Sequence, residues 1–571
     1  MENNKITKFN NVKEILYNSA NKYAKDIAFT TKVKVPGHIS FINHTYEDLL
    51  NDINAFGTSL YKLGLKGKRV AIIGHNCYEW AVSHLANLLG DMVSVPLDKG
   101  LQLEELENSL IRSEVEAVVF DSKTVEYIKK IKENKTTNIK HFICIDETDD
   151  FLYFKDLLSD GKTEIEKGNK NFINCKIDSY KMSILLFTSG TTSQSKAVML
   201  NQHGLATNIY DMQLVEVFYN TDINIAFLPY HHIFGSTCML MMLASGVKTV
   251  FPDGLKYIKQ NLIEYKVSVF VGVPILIDKI YSAYVKEIEK QGKTKMVNFA
   301  IWLSNLLLKF HIDLRKSLFK ELIRSLGGSI RFVISGGAPL DVRTAKWFNA
   351  IGIHLVQGYG LTETSPVIAA ENSFVIKPGS VGLPMEHVNI KIDNPDSNGI
   401  GEILVKGPNV MMGYYNDEKR TNEVLKNGWF HTGDLGYLDK DGFLFITGRS
   451  KDLIVLKNGK KIFPDEIETV VNRIEEIDES FVFGLPEGND KNDVKVAIKV
   501  VYNEKVVKEL YPDANEDEVR DIIWDKIKEV NKTFPMYKHI KHMILTKEPL
   551  IKTTTNKVKR NEELKKILEQ N

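Results

Sequence analysis

Apolar runs and helix-like stretches alternate along the first three quarters of the chain. Residues 69–96 begin and end with apolar runs, RVAII and MVSVP, that flank a helix-like stretch, which is the pattern of a βαβ unit. The pattern recurs, because helix-like 103–113 precedes EAVVFD and helix-like 123–134 precedes HFICID. Further apolar runs follow, such as SILLF, NIAFLP, VSVFVGVP and IRFVISGG. This alternation predicts an α/β fold, a large N-terminal body with mostly parallel sheets over residues 1–447.

The pattern changes after residue 447. The stretch GFLFITGRSK (442–451) has the character of an edge of the large body. Beyond it, VKVAIKVVY (494–502) alternates between apolar and polar positions, as a strand with one buried face does. Asn515 is suited to begin a helix whose apolar residues lie on one side. Residues 452–571 are therefore predicted to form a small α+β domain.

One amphipathic stretch, residues 296–310, is rich in large apolar side chains. At helical spacing these form a wide apolar stripe, and lysines flank it. Such a helix fits two readings: peripheral contact with a membrane surface, or packing on the body of the protein. No apolar run reaches the roughly 18 residues of a membrane span, so no transmembrane segment is predicted.

Composition places the chain among ordinary globular proteins. Its 571 residues are 43% hydrophobic and 26% charged, and the length suits two to four domains. The net charge of +1 offers no electrostatic reason to bind nucleic acid. The four cysteines are far apart without a CxxC pair, which argues against a metal cluster or a disulfide scaffold. The N-terminal MENNKITKFNNVKEIL lacks the apolar core of a signal peptide, so a cytoplasmic protein is expected.

The polar loop LFTSGTTSQSKA (186–197) combines hydroxyls, small residues and one lysine, which suit a polyphosphate. It is not a P-loop, because the second glycine and the hydroxyl residue after the lysine are missing. The apolar AVML that follows indicates a strand, so the loop is predicted to join two strands, with a helix starting at Asn201. On composition alone, a polar hairpin loop without a ligand is the alternative.

Two glycine-rich stretches, SGGAPL (335–340) and QGYGLTETSPV (357–367), follow apolar runs. Their glycines let a planar ligand approach the backbone, and Tyr359 offers a ring for stacking. Thr362 and Glu363 supply a hydroxyl and a carboxylate, which suit phosphate and Mg²⁺. These stretches therefore predict part of a nucleotide site.

Two later stretches carry charged residues in similar settings. In GWFHTGDLGYLDKDGFLFITGRSKD (428–452), Asp434 lies in a glycine-flanked turn and Arg449 lies at the boundary. A carboxylate is the usual partner of ribose hydroxyls. The basic LIKTTTNKVKR (550–560) is, taken alone, equally well explained as a solvated tail.

Together these stretches resemble, in order and over nearly the whole chain, the adenylate-forming superfamily of acyl-CoA synthetases, peptide-synthetase adenylation domains and luciferases. TSGTTSQSKA resembles its TSGTTGxPKG signature loop, and LPYHHIFG (228–235) resembles its LPxxHxxG stretch. YGLTET, GWFHTGD, GRSKDLIVLKNGKKIFPDEIE (448–468) and the terminal lysine segment match their counterparts. Six matches in register make the resemblance specific.

The resemblance implies roles for individual residues. Lys557 would bridge the substrate carboxylate and the α-phosphate, His232 would lie beside that carboxylate, and Glu363 would ligate Mg²⁺. Lys451 would be the hinge, within 448–451, between the two domains. The catalytic set would be Lys557, His232, Thr362 and Glu363. The ATP and AMP site would comprise Thr188, Ser189, Gly190, Thr191, Thr192, Lys196, Gly336, Gly337, Ala338, Gly358, Tyr359, Thr362, Asp434 and Arg449.

The chain departs from the family pattern at four positions. Ser193, Ser195 and Ala197 stand where the signature loop has Gly, Pro and Gly, and Asn556 replaces the Gly before the terminal lysine. A side chain at a glycine position with positive φ strains a loop by about 1 kcal/mol, whereas Asn tolerates that conformation better. None of these changes removes a phosphate ligand. We therefore expect slower or altered use of ATP, and not an inactive enzyme.

The implied reaction is activation of an acid by ATP to an acyl adenylate, then transfer to a thiol, with Mg²⁺ as cofactor and ATP and CoA as co-substrates. Adenylation domains for amino acids carry an Asp in an F-D-x-S stretch that pairs with the amine. The matching residues here, HHIF (231–234), include no acid. An amino acid is therefore not the expected substrate.

A long-chain fatty acid is the expected substrate. Two apolar runs, CMLMMLASG (238–246) and FVGVPILI (270–277), favour an apolar acid, although ordinary core explains them equally well. The insertion-like segment 282–328 resembles that of long-chain fatty acyl-CoA synthetases. Medium-chain or aryl acids, and transfer to a carrier-protein thiol, are the alternatives. A nucleotide-binding protein without turnover is the alternative from another class.

Overall fold

The computed structural model describes a chain whose residue contacts divide it into two units. The described residues are 6–35, 37–188, 195–373, 375–487, 490–552 and 558–570. The first unit holds the described parts of 1–188, 195–390 and 405–430, and the second holds those of 391–404 and 431–571. The contacts thus group 431–447 with the second unit, whereas the predicted large domain includes those residues. The functional limits at 447 and 451 stay a prediction.

The helices lie mainly in the first unit. They are, in chain order, α1 (Val12–Lys22), α2 (Tyr46–Lys62), α3 (Tyr78–Leu89), α4 (Leu103–Ser113), α5 (Val125–Asn134), α6 (Phe154–Glu166), α7 (Gln202–Val215), α8 (Ile233–Ala244), α9 (Ile258–Glu264), α10 (Pro274–Lys290), α11 (Thr294–Leu308), α12 (Arg315–Leu318), α13 (Lys320–Ser325), α14 (Val342–Ala350), α15 (Glu418–Val424), α16 (Pro464–Val471), α17 (Glu504–Leu510), α18 (Glu516–Asn531) and α19 (Arg560–Gln570). Short 3-10 turns cover Ser122–Thr124, Leu255–Tyr257, Thr362–Thr364, Ser450–Asp452 and Met536–Lys538.

The strands are mostly short. They are, in chain order, β1 (Ile27–Val35), β2 (His38–Thr45), β3 (Arg69–Ile73), β4 (Val93–Leu97), β5 (Ala117–Phe120), β6 (His141–Cys144), β7 (Leu152–Tyr153), β8 (Met182–Thr188), β9 (Lys196–Asn201), β10 (Ile223–Ile225), β11 (Lys248–Val250), β12 (Val269–Gly272), β13 (Phe332–Gly336), β14 (His354–Gly360), β15 (Val367–Ala370), β16 (Leu383–Pro384), β17 (Asn389–Asp393), β18 (Gly401–Lys406), β19 (Gly413–Tyr414), β20 (Leu425–Lys426), β21 (Trp429–Leu438), β22 (Leu444–Arg449), β23 (Ile454–Val455), β24 (Lys461–Ile462), β25 (Ile477–Glu487), β26 (Asp490–Tyr502) and β27 (His542–Thr546).

Two large sheets form the framework of the first unit. One has the strand order β16-β15-β14-β13-β12-β10-β11-β1-β2, and the other has the order β19-β9-β8-β4-β3-β5-β6-β7. The central pairs of both are parallel, including β12 with β13, β13 with β14, β3 with β4 and β3 with β5. The predicted α/β fold with mostly parallel sheets is therefore confirmed. The predicted βαβ unit is β3-α3-β4, and the helix predicted at 103–113 is α4.

Most of a five-stranded sheet and the whole of a three-stranded sheet belong to the second unit. Strands β17, β18 and β21 are neighbours in that order, with β22 on β21, and β25, β26 and β27 form a further sheet. Val494, Val496, Ile498 and Val500 of β26 all contribute to one apolar cluster, as the alternation predicted. Asn515 caps α18 by accepting from the backbone of Glu518, and Ile523 and Ile527 of that helix are fully buried. The smaller α+β unit of the prediction is therefore confirmed.

Helix α11 contains most of the apolar stretch 296–310, and its two faces differ. On one face, Val297, Ala300 and Ile301 pack against the core of the first unit. The opposite face, which we call the α11 apolar face, is exposed and consists of Met296, Phe299, Trp302, Leu306 and the following Phe310. The described helices include none that is long and apolar enough to span a membrane.

Candidate active site

The two arms of the polar loop are strands β8 and β9, which pair in antiparallel fashion. Thr188, the last residue of β8, pairs with Lys196, the first residue of β9. The prediction that the loop joins two strands is confirmed, and Asn201 caps α7 as predicted by accepting from the backbone of Gly204. Ser189, Gly190, Thr191 and Thr192 lie outside the described residues.

Lys196 faces a tyrosine that the sequence did not single out. Its ammonium lies 4.8 Å from the centroid of the Tyr414 ring and donates to the Tyr414 hydroxyl at 3.4 Å. The same hydroxyl donates to Oε1 of Glu363 at 2.9 Å. Burial, reinforced by the charge of Glu363, raises the pKa of Tyr414, so the phenol keeps its proton. An ammonium and a carboxylate are thus connected through one buried hydroxyl.

Glu363 lies on the 3-10 turn Thr362–Thr364, which is fixed from several sides. The buried Thr364 hydroxyl accepts from the backbone N–H of Leu361 at 3.0 Å and donates to the Pro366 carbonyl at 2.6 Å. The Glu363 carbonyl accepts from the Met411 N–H at 2.8 Å. A Cβ on Gly360 would lie 1.9 Å from the Pro366 carbonyl oxygen, so the approach of the two backbones requires glycine.

The residues predicted to contact the planar part of a nucleotide lie at the carboxyl ends of two parallel strands. Gly336 ends β13 and pairs with Gly358 of β14, and Tyr359 follows. Gly337 has φ of +86°, and it and Ala338 are exposed. Crevices at the carboxyl ends of parallel strands are the usual ligand sites of open α/β sheets. The structure thus brings these residues together at one sheet edge.

His232 is connected to the carboxyl end of β13 through Phe234, which follows it by two residues. It caps α8, and its Nδ1 accepts from the Phe234 N–H at 3.2 Å. A Cβ on Gly336 would lie 2.9 Å from the Phe234 ring, so that ring packs against the end of β13. The apolar runs beside these residues belong to the core: Met241, Met242 and Val271 are buried in one cluster.

A cavity of about 320 Å³ adjoins β14 on its Gln357 side. Glu371 lines it, and its carboxylate accepts from the N–H groups of Gln357 and Lys377 at 3.2 and 3.1 Å. Burial raises the pKa of Glu371 to about 7. Sequence analysis did not single out this carboxyl, because it follows an ordinary apolar strand.

Asp434 and Arg449 are brought together in the second unit. They are opposite each other on the antiparallel strands β21 and β22, and Arg449 Nε lies 3.1 Å from Asp434 Oδ1. The Asp434 carboxylate is almost fully buried, whereas half of the Arg449 side chain is exposed. Lys451 follows in the exposed turn Ser450–Asp452. The guanidinium therefore orients the carboxylate that is predicted to bind ribose.

Lys557 lies outside the described residues, but two neighbouring lysines do not. Lys552 pairs with Glu479 at 2.5 Å, and Lys559 pairs with Glu562 at 3.2 Å. Both have partners of their own within the second unit. The bridging role of Lys557 stays a prediction.

The residues around Glu363 fit a magnesium ion. Mg²⁺ in phosphate sites is held by one or two carboxylates, with phosphate oxygens and water completing its octahedron. Glu363 offers such a carboxylate next to Thr362 in the chain, and the Tyr414 hydroxyl connects it to the Lys196 ammonium. The described part of the chain holds no group of three or more His, Cys, Asp or Glu side chains placed to bind a metal.

Comparison with protein families gives two matches. The family described as AMP-binding enzyme matches residues 16–415, and the family described as AMP-binding enzyme C-terminal domain matches residues 451–570. Together they cover most of the chain.

Individual relatives give more detail. The chain is 27% identical to long-chain-fatty-acid–[acyl-carrier-protein] ligase AEE15, chloroplastic, of Arabidopsis thaliana, over 90% of this chain and 80% of that protein. It is 30% identical to long-chain-fatty-acid–CoA ligase 5 of Rattus norvegicus, over 77% of this chain and 69% of that protein. The structure of o-succinylbenzoate CoA synthetase (MenE) from Bacillus subtilis, in complex with ATP and a magnesium ion, superimposes with a TM-score of 0.71 at 22% identity, covering 96% and 99% of the two chains. That last likeness shows the fold.

Proposed function

Because the chain belongs to the AMP-binding enzyme family, as its motifs predicted, we propose that it is an acid–thiol ligase that converts a long-chain fatty acid to an acyl adenylate and then to a thioester. One observation carries the proposal: Lys196, Tyr414 and Glu363 are connected beside the arms of the polar loop. An ammonium and a carboxylate able to share a divalent cation are the charges that polyphosphate chemistry requires.

In the first step a carboxylate oxygen of the acid attacks the α-phosphorus of ATP. A bond forms between that oxygen and phosphorus, and the bond to pyrophosphate breaks. Lys196 and Thr188 bind the phosphates, and Thr362 donates to an α-phosphate oxygen. Lys557 offsets the negative charge that develops there, and His232 orients the acid.

Further residues are proposed to bind the nucleotide. Tyr359 stacks on the base, and Asp434, oriented by Arg449, accepts from the ribose hydroxyls. The backbone that faces the base belongs to Gly336, Gly337, Ala338 and Gly358. The loop residues Ser189, Gly190, Thr191 and Thr192 complete the phosphate site.

Glu363 would hold Mg²⁺ in this site. When bound, the cation offsets charge on the phosphates. Tyr414 keeps the Glu363 carboxylate in place by donating to Oε1, which fixes the orientation of the carboxylate.

In the second step a thiol attacks the acyl carbonyl carbon. A carbon–sulfur bond forms, the thiol proton is lost to solvent, and AMP leaves with the electron pair of the broken carbon–oxygen bond. CoA is the proposed acceptor, and a carrier-protein thiol is the alternative, since the two relatives are named for different acceptors. Lys451 is the proposed hinge between the two half-reactions.

The acid is proposed to be a long-chain fatty acid because both relatives are named for that class and no acid stands in HHIF (231–234) to bind an amine. Medium-chain and aryl acids are the alternatives. The remaining alternative is a protein that binds ATP but does not turn it over.

The test is pyrophosphate release from Mg-ATP with a panel of fatty, aryl and amino acids, followed by thioester formation with CoA or with a phosphopantetheinylated carrier protein. Long-chain acids should give the highest rates and amino acids none. Preferred turnover of an amino acid overturns the substrate class. No pyrophosphate with any acid, together with measurable ATP binding, supports the alternative without turnover.

A second proposal concerns the α11 apolar face, which we propose to contact an anionic membrane surface. Phe299 and Trp302, both about 60% exposed, stack on each other with centroids 5.7 Å apart. Exposed basic residues occur before, within and after this stretch of the sequence: Lys293, Lys295, Lys309, Lys316 and Lys320. Apolar side chains bordered by lysines match a bilayer with negative headgroups.

A further inference from the structure

Arg112, in the last turn of α4, contacts both arms of the polar loop. Its Nη2 donates to the Ser195 carbonyl at 2.8 Å, and its Nη1 donates to the Ser195 hydroxyl at 3.1 Å. The centre of its guanidinium lies 5.3 Å from the centroid of the Phe187 ring. Phe187 is on β8 and Ser195 immediately precedes β9, so one side chain spans the base of the loop.

The geometry of these contacts favours a rigid attachment. A guanidinium is a planar fork with fixed donor directions, so two bonds to one residue restrain that residue's orientation as well as its distance. The guanidinium also lies over the Phe187 ring, which adds a cation–π contact on the neighbouring strand. The helix that carries Arg112 is anchored independently, because Leu106 and Leu110 of α4 are buried in the core.

The restraint on Ser195 acts on the residue after it. Lys196 pairs with Thr188 across the two arms and donates to the Tyr414 hydroxyl. We propose that Arg112 is a positioning residue, which fixes Ser195 and thereby the Lys196 ammonium above Tyr414. This inference rests on the proposed function, in which Lys196 binds the phosphates of ATP.

The identity of residue 195 supports this role. The signature loop that this chain resembles has Pro there, and a proline ring fixes φ covalently. Serine provides no such restraint, but its hydroxyl gives Arg112 a second acceptor. The restraint that the ring supplies in the signature loop is thus supplied in this chain by hydrogen bonds from another helix.

The test compares Arg112→Gln, Arg112→Lys, Ser195→Ala and the matched control Arg69→Gln. Arg69 also donates to α4, at the Ser113 carbonyl, and pairs with Glu114. Arg112→Gln should lower kcat/KM for ATP in pyrophosphate release by about 10-fold to 100-fold, because misplacing a binding group by an ångström has effects of that size. Arg112→Lys and Ser195→Ala, which each keep part of the contact, should fall between it and the wild type. Arg69→Gln should match the wild type.

Two further measurements separate positioning from folding. Arg112→Gln should melt within about 3 °C of the wild type, because it removes no large apolar surface, and should convert supplied acyl adenylate and CoA at near the wild-type rate. The double variant Arg112→Gln with Ser195→Pro should regain much of the lost kcat/KM, because the ring restores the restraint.

The outcomes are distinct for the two proposals. Unchanged ATP kinetics in Arg112→Gln, or an equal fall in both half-reactions with a lowered Tm, overturns the positioning role while leaving the ligase in place. If the wild type releases no pyrophosphate with any acid, the proposed function fails. In that case, equilibrium ATP binding by the same variants tests the positioning role by itself. Weaker binding by Arg112→Gln, but not by Arg69→Gln, supports the role. Binding by Arg112→Gln that equals that of the wild type overturns it.

Discussion

Glu363 is held by its backbone and its side chain at once. The Met411 N–H fixes its carbonyl and the Tyr414 hydroxyl fixes its carboxylate. The sequence predicted Thr362 and Glu363 because a hydroxyl and a carboxylate follow a glycine-rich strand end. It could not predict Tyr414, since the hydrogen bond joins residues 51 positions apart and GYY carries no distinctive pattern.

Replacing Glu363 by Gln should leave the fold intact and reduce kcat about a hundredfold or more. The substitution keeps the size and the acceptor for Tyr414 but removes the charge that holds Mg²⁺ near the phosphates. The measurement is kcat for pyrophosphate release at saturating Mg²⁺, with the exposed Glu423→Gln as a matched control. An unchanged kcat would mean that another acid ligates the metal.

Glu371 should make stability depend on pH. Burial raises its pKa in the folded chain from about 4.5 to about 7, so the folded state holds this proton to higher pH than the unfolded state does. Its contribution to the free energy of unfolding therefore falls as pH rises from about 4.5 to about 7, by up to ~3 kcal/mol. Above pH 7 the carboxylate is charged in both the folded and the unfolded state, so it lowers the free energy of unfolding no further.

The variant Glu371→Gln tests this directly. It cannot ionise, so the slope of unfolding free energy against pH between 5 and 7 should become more positive than in the wild type. Chemical denaturation at several pH values measures the slope, and Glu423→Gln should leave it unaltered. Identical slopes for Glu371→Gln and the wild type would refute the raised pKa.

At the scale of elements, the periodicity of apolar residues predicted local features, such as the position of a single helix or loop. Helix α4 spans the predicted 103–113, and the loop between β8 and β9 is where the polar run indicated. Periodicity could not predict which strands pair. Phe29 of β1 pairs with Thr249 of β11, far along the chain, and no local pattern marks such partners. The division of the strands into two large sheets was missed for that reason.

The α11 apolar face gives a prediction about lipid. Vesicles with anionic headgroups should shift Trp302 emission to shorter wavelength and sediment the protein, whereas zwitterionic vesicles should do so less. Trp302 is one of five tryptophans, so Trp302→Phe identifies its share of the signal. Phe299→Ser should weaken binding, and Met536→Ser, at a position that is even more exposed, should not. No Trp302-dependent change with anionic vesicles would contradict the contact.

The terminal basic segment gives a prediction about the two half-reactions. Lys557→Ala removes an ammonium but no large apolar surface, so stability should change little. Adenylation should fall by orders of magnitude, because charge stabilisation in the transition state is lost. Acyl-CoA formation from supplied acyl adenylate should stay near the wild-type rate, because the proposed role of Lys557 ends when pyrophosphate leaves.

Lys559→Ala is the matched control for that experiment, since Lys559 is paired with Glu562. It should affect neither half-reaction. If Lys557→Ala lowers both half-reactions equally, the residue is misassigned. If it lowers neither, the segment is a solvated basic tail.

At the scale of the whole molecule, the family and fold class could be predicted because six motifs occur in order along the chain. Each motif is short, but their spacing reflects the order of the strands that carry them. The limits of the units were harder to predict. Residues 391–404 precede the predicted boundary, yet their contacts group them with the second unit, because β18 pairs with a strand that comes later in the chain.

Chimeric proteins made from this chain and a relative have to preserve the pairing of β18 with β21. The Thr432 hydroxyl donates to the Ile403 carbonyl at 2.7 Å, and the Gly433 N–H donates to Glu402 at 3.0 Å. A crossover at residue 430 takes β18 from one parent and most of β21 from the other, so these bonds must form between sequences that were never selected together. A crossover at residue 450 inherits both strands from a single parent. Recombinant libraries joined at 450 should therefore contain more soluble members than libraries joined at 430.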